Sequence, residues 1–381
     1  MDSVKFYGEP PVMIYDATVI QGVIDRVLEH FKTALYAPDE TFLKNMETNN
    51  LAGDDIRKYQ FWEWPQGVGL YALWELYHST NDTRCLELLT TYYDERIASG
   101  LPGKNINTMA PILALSYVAE HTKNEQYLEI CREWAHWAAH DLARTKEGGF
   151  QHITSDTVND QELWDDTLFM TVLALVNVGR IIGNEGYIQE GIYQFLIHAK
   201  YLADKRTGLW FHGFTFHGNH NFAEALWGRG NCWVTISIPI LLEMVDLPPS
   251  THTLLSGYLN EQVASLIALQ NESGMWHTLL DDPTSYLESS ATCGIAFGIL
   301  KGVHLGVLPR SYSRFAMKAI EPIVGHITEG GQVLQVSYGT PMGRESKDFY
   351  KQIPLQPMPY GEAIALLFLM EVLVALEWRD V

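Results

Sequence analysis

Basic residues are scarce in this chain. Lys plus Arg number 26 against 46 Asp plus Glu, a formal net charge of −20 over 381 residues. That balance argues against a nucleic-acid partner, because binding phosphates needs a basic surface. An anionic membrane surface is disfavoured for the same reason, and an anionic small substrate requires local cations that overcome the global repulsion. Cysteine is also sparse: Cys85, Cys131, Cys232 and Cys293 are scattered, with no CxxC pair and no compact disulfide framework. A reducing, cytoplasmic setting is the simplest expectation. No uninterrupted apolar run reaches the ~18 residues of a membrane span, so none is expected. Residues 1–16 lack a basic region followed by an apolar run, so no secretory leader is expected either.

Common nucleotide and hydrolase motifs are missing. Gly100–Lys104 has the wrong spacing for a phosphate loop, and Gly228-Arg229-Gly230 lacks the third glycine and preceding strand of a dinucleotide fingerprint. There is no GxSxG elbow and no HExxH. His136 and His140 share a helix face, and His212, His217 and His220 cluster in a loop. Neither set has a carboxylate or thiolate placed to complete a zinc site, so no metal and no cofactor is expected.

The dominant positive signal is helical. Apolar residues recur at spacings of three and four over twelve stretches: 16–37, 65–79, 82–98, 106–121, 124–141, 161–181, 184–202, 220–245, 252–270, 285–305, 309–327 and 359–378. Leu209–Phe214 and Val333–Tyr338 look locally extended. No low-complexity linker divides the chain. Twelve helices with short connections predict an all-α fold, six helical hairpins forming one domain over residues 1–381. In a closed ring the inner helices are apolar nearly all round. Segments 164–178 and 359–378 have that character, which favours an (α/α)6 barrel over an open solenoid.

Three stretches carry candidate chemistry. Asp165 and Asp166 follow Trp164 at the start of an apolar stretch. A helix start favours negative charge, so capping alone would account for them. In the functional reading, one carboxyl lies inside, where burial and its neighbour raise its pKa and keep a proton available for general acid catalysis. Periodicity does not choose between the two. Arg229 and Trp233, four apart, suit a carboxylate and a sugar ring, although Arg stacked on Trp is also a common core contact. Trp62 and Trp64 precede a helix, and most tryptophans are core residues.

Taken together the motifs resemble the unsaturated glycuronyl hydrolases of glycoside hydrolase family 105, relatives of family 88. The resemblance rests on Trp62–Gly67, Lys104–Pro111, Gly149–His152, Leu163–Met170, Trp227–Trp233, Ser285–Ser290 and Pro359–Glu362. It implies an (α/α)6 barrel that takes an anionic, unsaturated oligosaccharide substrate. It implies Asp166 as the acid/base, Trp164 beside the reacting sugar, Arg229 and Trp233 as substrate contacts, and His152 and His212 lining the pocket. Trp62 or Trp64 would form another wall. Asn105 stands where many members carry an Asp, and is assigned to binding. The implied reaction removes a 4,5-unsaturated uronic acid from the non-reducing end of lyase products, with pectin fragments the commonest expectation. The competing readings are another α/α-barrel carbohydrate enzyme, such as a sugar epimerase or an inverting glycosidase with Glu63 or Glu288 as second carboxylate, and a non-catalytic helical-repeat binding protein. The glycan and the oligomeric state are not legible in the residues.

Overall fold

Asn81-Asp82, Lys123-Asn124 and Gly183-Asn184 reverse the chain by one device. The first residue of each pair adopts the left-handed conformation that ends a helix, with φ of 57°, 57° and 68°. The second caps the next helix, its side-chain oxygen accepting a backbone N–H. A left-handed residue stops one coil and an Asx cap starts another, so two residues suffice. Trp64–Thr80, Ala110–Thr122 and Leu173–Ile182 are thereby folded back onto Thr83–Ser99, Glu125–His140 and Glu185–Leu202. The computed structural model describes residues 15–378. Residues 1–14, most of the segment inspected for a leader, and residues 379–381 lie outside the described residues.

Three pairs use this device, two more are joined by other turns, and Pro359–Glu377 pairs with Ala17–Ala34 from the start of the chain; together they close into a ring. The inner helices are Trp64–Thr80, Ala110–Thr122, Leu168–Ile182, Gly228–Met244, Ser289–His304 and Pro359–Glu377. Each packs against the next, and Pro359–Glu377 packs back against Trp64–Thr80. The all-α (α/α)6 barrel is therefore the fold. Inner helices are covered on every side: all residues from Ser289 to Val303 are buried. Outer helices bury one stripe only, as in Ala17–Ala34, where Ile20, Val23, Ile24, Val27, Leu28 and Phe31 face inward. Pro359–Glu377 is long and apolar enough to cross a membrane, yet 78% of its apolar window is buried inside the ring. Here burial in protein takes the place of lipid.

The local departures from the periodicity have physical causes. The coil expected from residue 161 begins only at Leu168, as a π-helix over Leu168–Val172. Ahead of it, β1 (Glu162–Trp164) pairs antiparallel with β2 (Gly213–Thr215), Trp164 opposite Gly213. The helix expected over 220–245 begins at Gly228, and that over 285–305 begins at Ser289. The stretch 309–327 breaks into Arg310–Tyr312, Ser313–Lys318 and Ile320–Gly325. Pro322 has no N–H to donate to the Lys318 carbonyl, so one coil cannot run through. Short helices at Glu40–Asn49 and Ile56–Tyr59 were not signalled by a long apolar stripe.

One end of the ring is tied by charge. Lys301 reaches Glu243 at 2.8 Å and Glu371 at 3.5 Å, and His304 lies 3.4 Å from Glu371. These bonds join three consecutive inner helices near their C-terminal ends. The N-terminal ends form the opposite mouth, where the long connections 35–63, 141–167, 203–227, 270–288 and 326–358 converge.

Candidate active site

A cavity of about 820 Å³ opens at that mouth. Its walls come from the starts of inner helices: Glu63 and Trp64, Asp166, Arg229 and Trp233, and Pro359 and Tyr360. Helix N-termini carry partial positive charge, so the fold aims several positive dipole ends at one space. This offsets, locally, the acidity of the chain.

Asp165 and Asp166, equivalent by periodicity, part here. The β1 strand ends at Trp164 and the chain turns before the π-helix. Asp166 lines the cavity, with its side chain 17% exposed. Asp165 is fully buried behind it, packed against Gly230, and among the described residues no hydrogen bond reaches either carboxyl oxygen. Burial pushes the Asp166 carboxyl up to about 7, with the Arg229 charge opposing the rise. Asp165 is pushed well up by burial and then by the Asp166 charge. Asp166 thus holds a proton near neutrality at a surface that a ligand can reach.

Around it the aromatic walls are locked. Trp164 stacks on His152 at 4.3 Å and meets His212 edge-on at 5.2 Å. Its indole N–H donates to Glu162 at 2.9 Å, and Glu162 in turn accepts from Arg344. His152 Nδ1 lies 2.8 Å from the Thr167 hydroxyl and 3.4 Å from Asp166 Oδ1. Burial holds the His152 imidazole down to about 3, with His198 adding a smaller effect, and His212 well below its ordinary value. Both rings are neutral and contribute polar edges without charge.

Arg229 is 1% exposed and lies over Trp227 and Tyr360, at 4.7 and 5.0 Å. Nη1 donates to the Ser337 carbonyl at 2.7 Å and to the Ser337 hydroxyl. Nη2 donates to the Tyr338 carbonyl at 3.0 Å and to Thr340 Oγ1 at 2.8 Å. Its terminal donors are already engaged, so it serves the cavity as a fixed charge more than as a free fork. Glu288 completes this cradle: it accepts from Ala291 N, Ser290 and Ser337 N, capping the helix Ser289–His304.

Seven of the residues singled out in the sequence meet at the cavity: Glu63, Trp64, His152, Trp164, Asp166, Arg229 and Trp233. Besides Asp165, three others stand behind it. Trp62 is fully buried against Tyr93 and Trp134, and its indole donates to the Thr108 carbonyl at 3.0 Å, so it is a core residue. Asn105 donates to Ser155 at 2.9 Å and accepts from Asn107 N and Thr108 N, and Asn107 lines the cavity in its place. His212 sits behind the aromatic wall, its Nδ1 2.6 Å from the Tyr350 hydroxyl. Reasoning from sequence missed Tyr338 and Tyr360, which line the cavity, and Tyr350, which stands behind it against His212. They come from the irregular stretch 326–358 and the helix after it, where no periodicity points to a site. Among the described residues no group of three or more His, Cys, Asp or Glu is placed to hold a metal.

The profile of Glycosyl Hydrolase Family 88 matches residues 39–376. The chain belongs to this family. The hydrolase is 33% identical over 315 residues, 82% of its own length and 90% of the relative's, to the unsaturated rhamnogalacturonyl hydrolase YesR of Bacillus subtilis. Among solved structures it is similar to a possible GH105 member from Salmonella enterica, with a TM-score of 0.87 and 42% identity, covering 98% of this chain and 100% of that one. A possible GH105 member from Klebsiella pneumoniae matches with the same TM-score and coverage at 41% identity. The unsaturated glucuronyl hydrolase of Bacillus sp. GL1, at 18% identity and a TM-score of 0.66 over 93% of this chain and 96% of that one, shares the fold. The hydrolase is accordingly a glycosidase, which removes the non-catalytic reading.

Proposed function

We propose that the hydrolase removes a 4,5-unsaturated uronic acid from the non-reducing end of oligosaccharides left by polysaccharide lyases. One observation carries this reading. Asp166, held protonated near neutrality by burial, lines a cavity walled by Trp164 and His152 and sits within the field of Arg229. The C4=C5 bond of such a sugar is an enol ether. The Asp166 proton goes to C4, and positive character develops at C5 beside the ring oxygen. Water adds at C5 as the Asp166 carboxylate takes its proton, so the acid is regenerated. The C5 hemiketal then opens, and the aglycone leaves as its alcohol. One carboxyl serves both proton transfers, so the spacing rule for two-carboxylate glycosidases does not apply.

Arg229 and the converging helix N-termini supply the positive potential that an anionic sugar needs in an acidic protein. Trp164, Trp233 and Trp64 supply faces for the ring, and His152 supplies a neutral edge beside Asp166. The relative named above as an unsaturated rhamnogalacturonyl hydrolase supports the substrate class. Galacturonyl-rhamnose from pectin fits that relative. The four free, buried cysteines suit a reducing, cytoplasmic setting, and the ring constitutes one catalytic domain.

The conjugated unsaturated uronate absorbs in the ultraviolet, and hydration destroys the chromophore. Adding the protein to lyase-generated disaccharides should bleach it, and Asp166→Asn, nearly isosteric, should abolish bleaching while the protein still melts cooperatively. Bleaching that persists in Asp166→Asn and disappears in Asp165→Asn would refute the assignment.

A further inference from the structure

Glu63 is a buried carboxyl at the cavity that the proposed reaction leaves unused. It precedes the inner helix Trp64–Thr80, with its backbone N–H held by Gln66 Oε1 at 3.3 Å. Only 5% of the residue is exposed, yet it lines the cavity together with Asp166. A bare carboxylate in that position would be costly to bury, and among the described residues no cation pairs with it. What it has is a chain of donors: Asn105 Nδ2 donates to Ser155 Oγ, and the Ser155 hydroxyl donates to Glu63 Oε1. The Ser155 oxygen has one hydrogen and two lone pairs, so while accepting from Asn105 it can pair with either form of the Glu63 carboxyl. The carboxyl also meets the Gln66 backbone N–H in the capping box of this helix, and Trp64 N and the Asn107 side chain lie within hydrogen-bond reach of it.

We propose that Glu63 holds the substrate as a neutral carboxylic acid, its carboxyl O–H donating a hydrogen bond to an oxygen of the bound sugar. This rests on the reading of the cavity as the site for an unsaturated uronate. The geometry suits an anionic ligand: a neutral acid donates a hydrogen bond without adding to the negative potential. Asn105 and Ser155 are positioning residues in this arrangement. Burial pushes Glu63 up to about 8, with Ser155 lowering it and the Asp156 charge raising it, so it is neutral at pH 7 and ionised at pH 9. The other ionisable groups nearby are Tyr59 behind it, and Asp39, Glu40, Asp156, Asp166, His152 and Arg229 around the cavity. Of these, His152 is already neutral above pH 5 and arginine stays charged throughout.

The test measures binding separately from turnover. In Asp166→Asn, which removes the other titrating acid, calorimetry gives the Kd for a lyase-generated unsaturated disaccharide at pH 7 and pH 9. The neutral fraction of Glu63 falls about tenfold over that interval, so Kd should weaken by about tenfold. Adding Glu63→Gln, which stays neutral, should reduce that ratio to about twofold or less. Adding Glu63→Ala instead should weaken binding at both pH values, with melting temperatures confirming that the variants fold. An undiminished pH dependence in Glu63→Gln, or none in the Asp166→Asn parent, overturns the proposal. Wild-type bleaching of the same disaccharide is run alongside. Bleaching with a pH-independent Kd sinks only the role of Glu63, whereas absence of both bleaching and binding sinks the substrate class as well.

Discussion

The imidazole of His152 lies flat on the indole of Trp164, 4.3 Å between centroids and 7° between planes. The same ring places Nδ1 between the Thr167 hydroxyl and Asp166 Oδ1. One side chain therefore fixes the aromatic wall and supports the acid. His152→Ala should lower kcat/KM by about 10- to 100-fold, as small displacements of a reacting group do. It should also destabilise the fold by about 2–4 kcal/mol, as truncations of buried aromatic rings do. Chromophore bleaching and urea denaturation measure the two effects. An unchanged kcat/KM would mean that the stack is only core packing.

The pH profile of kcat follows from Asp166. The acid must be protonated to act, and burial raises it to about 7. kcat should be level below that value and fall about tenfold per pH unit above it. His152 and His212 are neutral across this range, so no acidic limb near pH 6.5 is expected. Stopped-flow bleaching at saturating substrate from pH 5 to 9 tests this. A kcat that rises with pH through 7 would show that the ionised form does the work.

The ring was legible because helix periodicity and two-residue turns are local. Asn81-Asp82 and Gly183-Asn184 announce a stop and a start without reference to the rest of the chain. The inner character of 359–378 could be read from its lack of a polar stripe. The site was legible only as a set of residue types. Asp165 and Asp166 could not be separated by spacing, because strand pairing between Trp164 and Gly213, far apart in sequence, decides which carboxyl faces the cavity. Trp62 and Trp64, two apart, face opposite ways for a similar reason: the turn before the helix is irregular. Arg229 was visible, but not that residues 337–340 would engage its donors, since that contact spans more than 100 positions.

Charge at the far end of the ring gives a prediction on stability alone. Lys301 is 5% exposed and serves Glu243 and Glu371, while its charge also restrains Glu75, which burial pushes up to about 7. Lys301→Met keeps the stem and removes the charge, leaving buried carboxylates without compensation. The expected loss is about 3 kcal/mol, seen as a lower urea midpoint. Activity per folded molecule should not change, because the network lies at the end of the ring opposite the cavity. A coupled fall in kcat would reveal communication along the inner helices.

Gly230 carries the last prediction. A Cβ at this position would lie 2.3 Å from Asp165 Oδ2 and 3.0 Å from Asp165 Cγ. Alanine normally favours a helix over glycine by about 1 kcal/mol. Here the obstacle is a fully buried carboxyl that cannot swing into solvent, so the clash dominates, at about 1–3 kcal/mol. Relief requires moving Asp165, and Asp166 is the next residue in the chain. Gly230→Ala should therefore lower kcat/KM by at least about tenfold, beyond any loss of folded protein. Asp165→Ala removes the obstructing oxygen, so adding Gly230→Ala to that background should cost little further activity. The double-mutant cycle isolates the contact. Equal losses in both backgrounds would mean that the glycine is needed for some other approach, such as that of Trp227 Cε3, 3.0 Å from the same Cβ position.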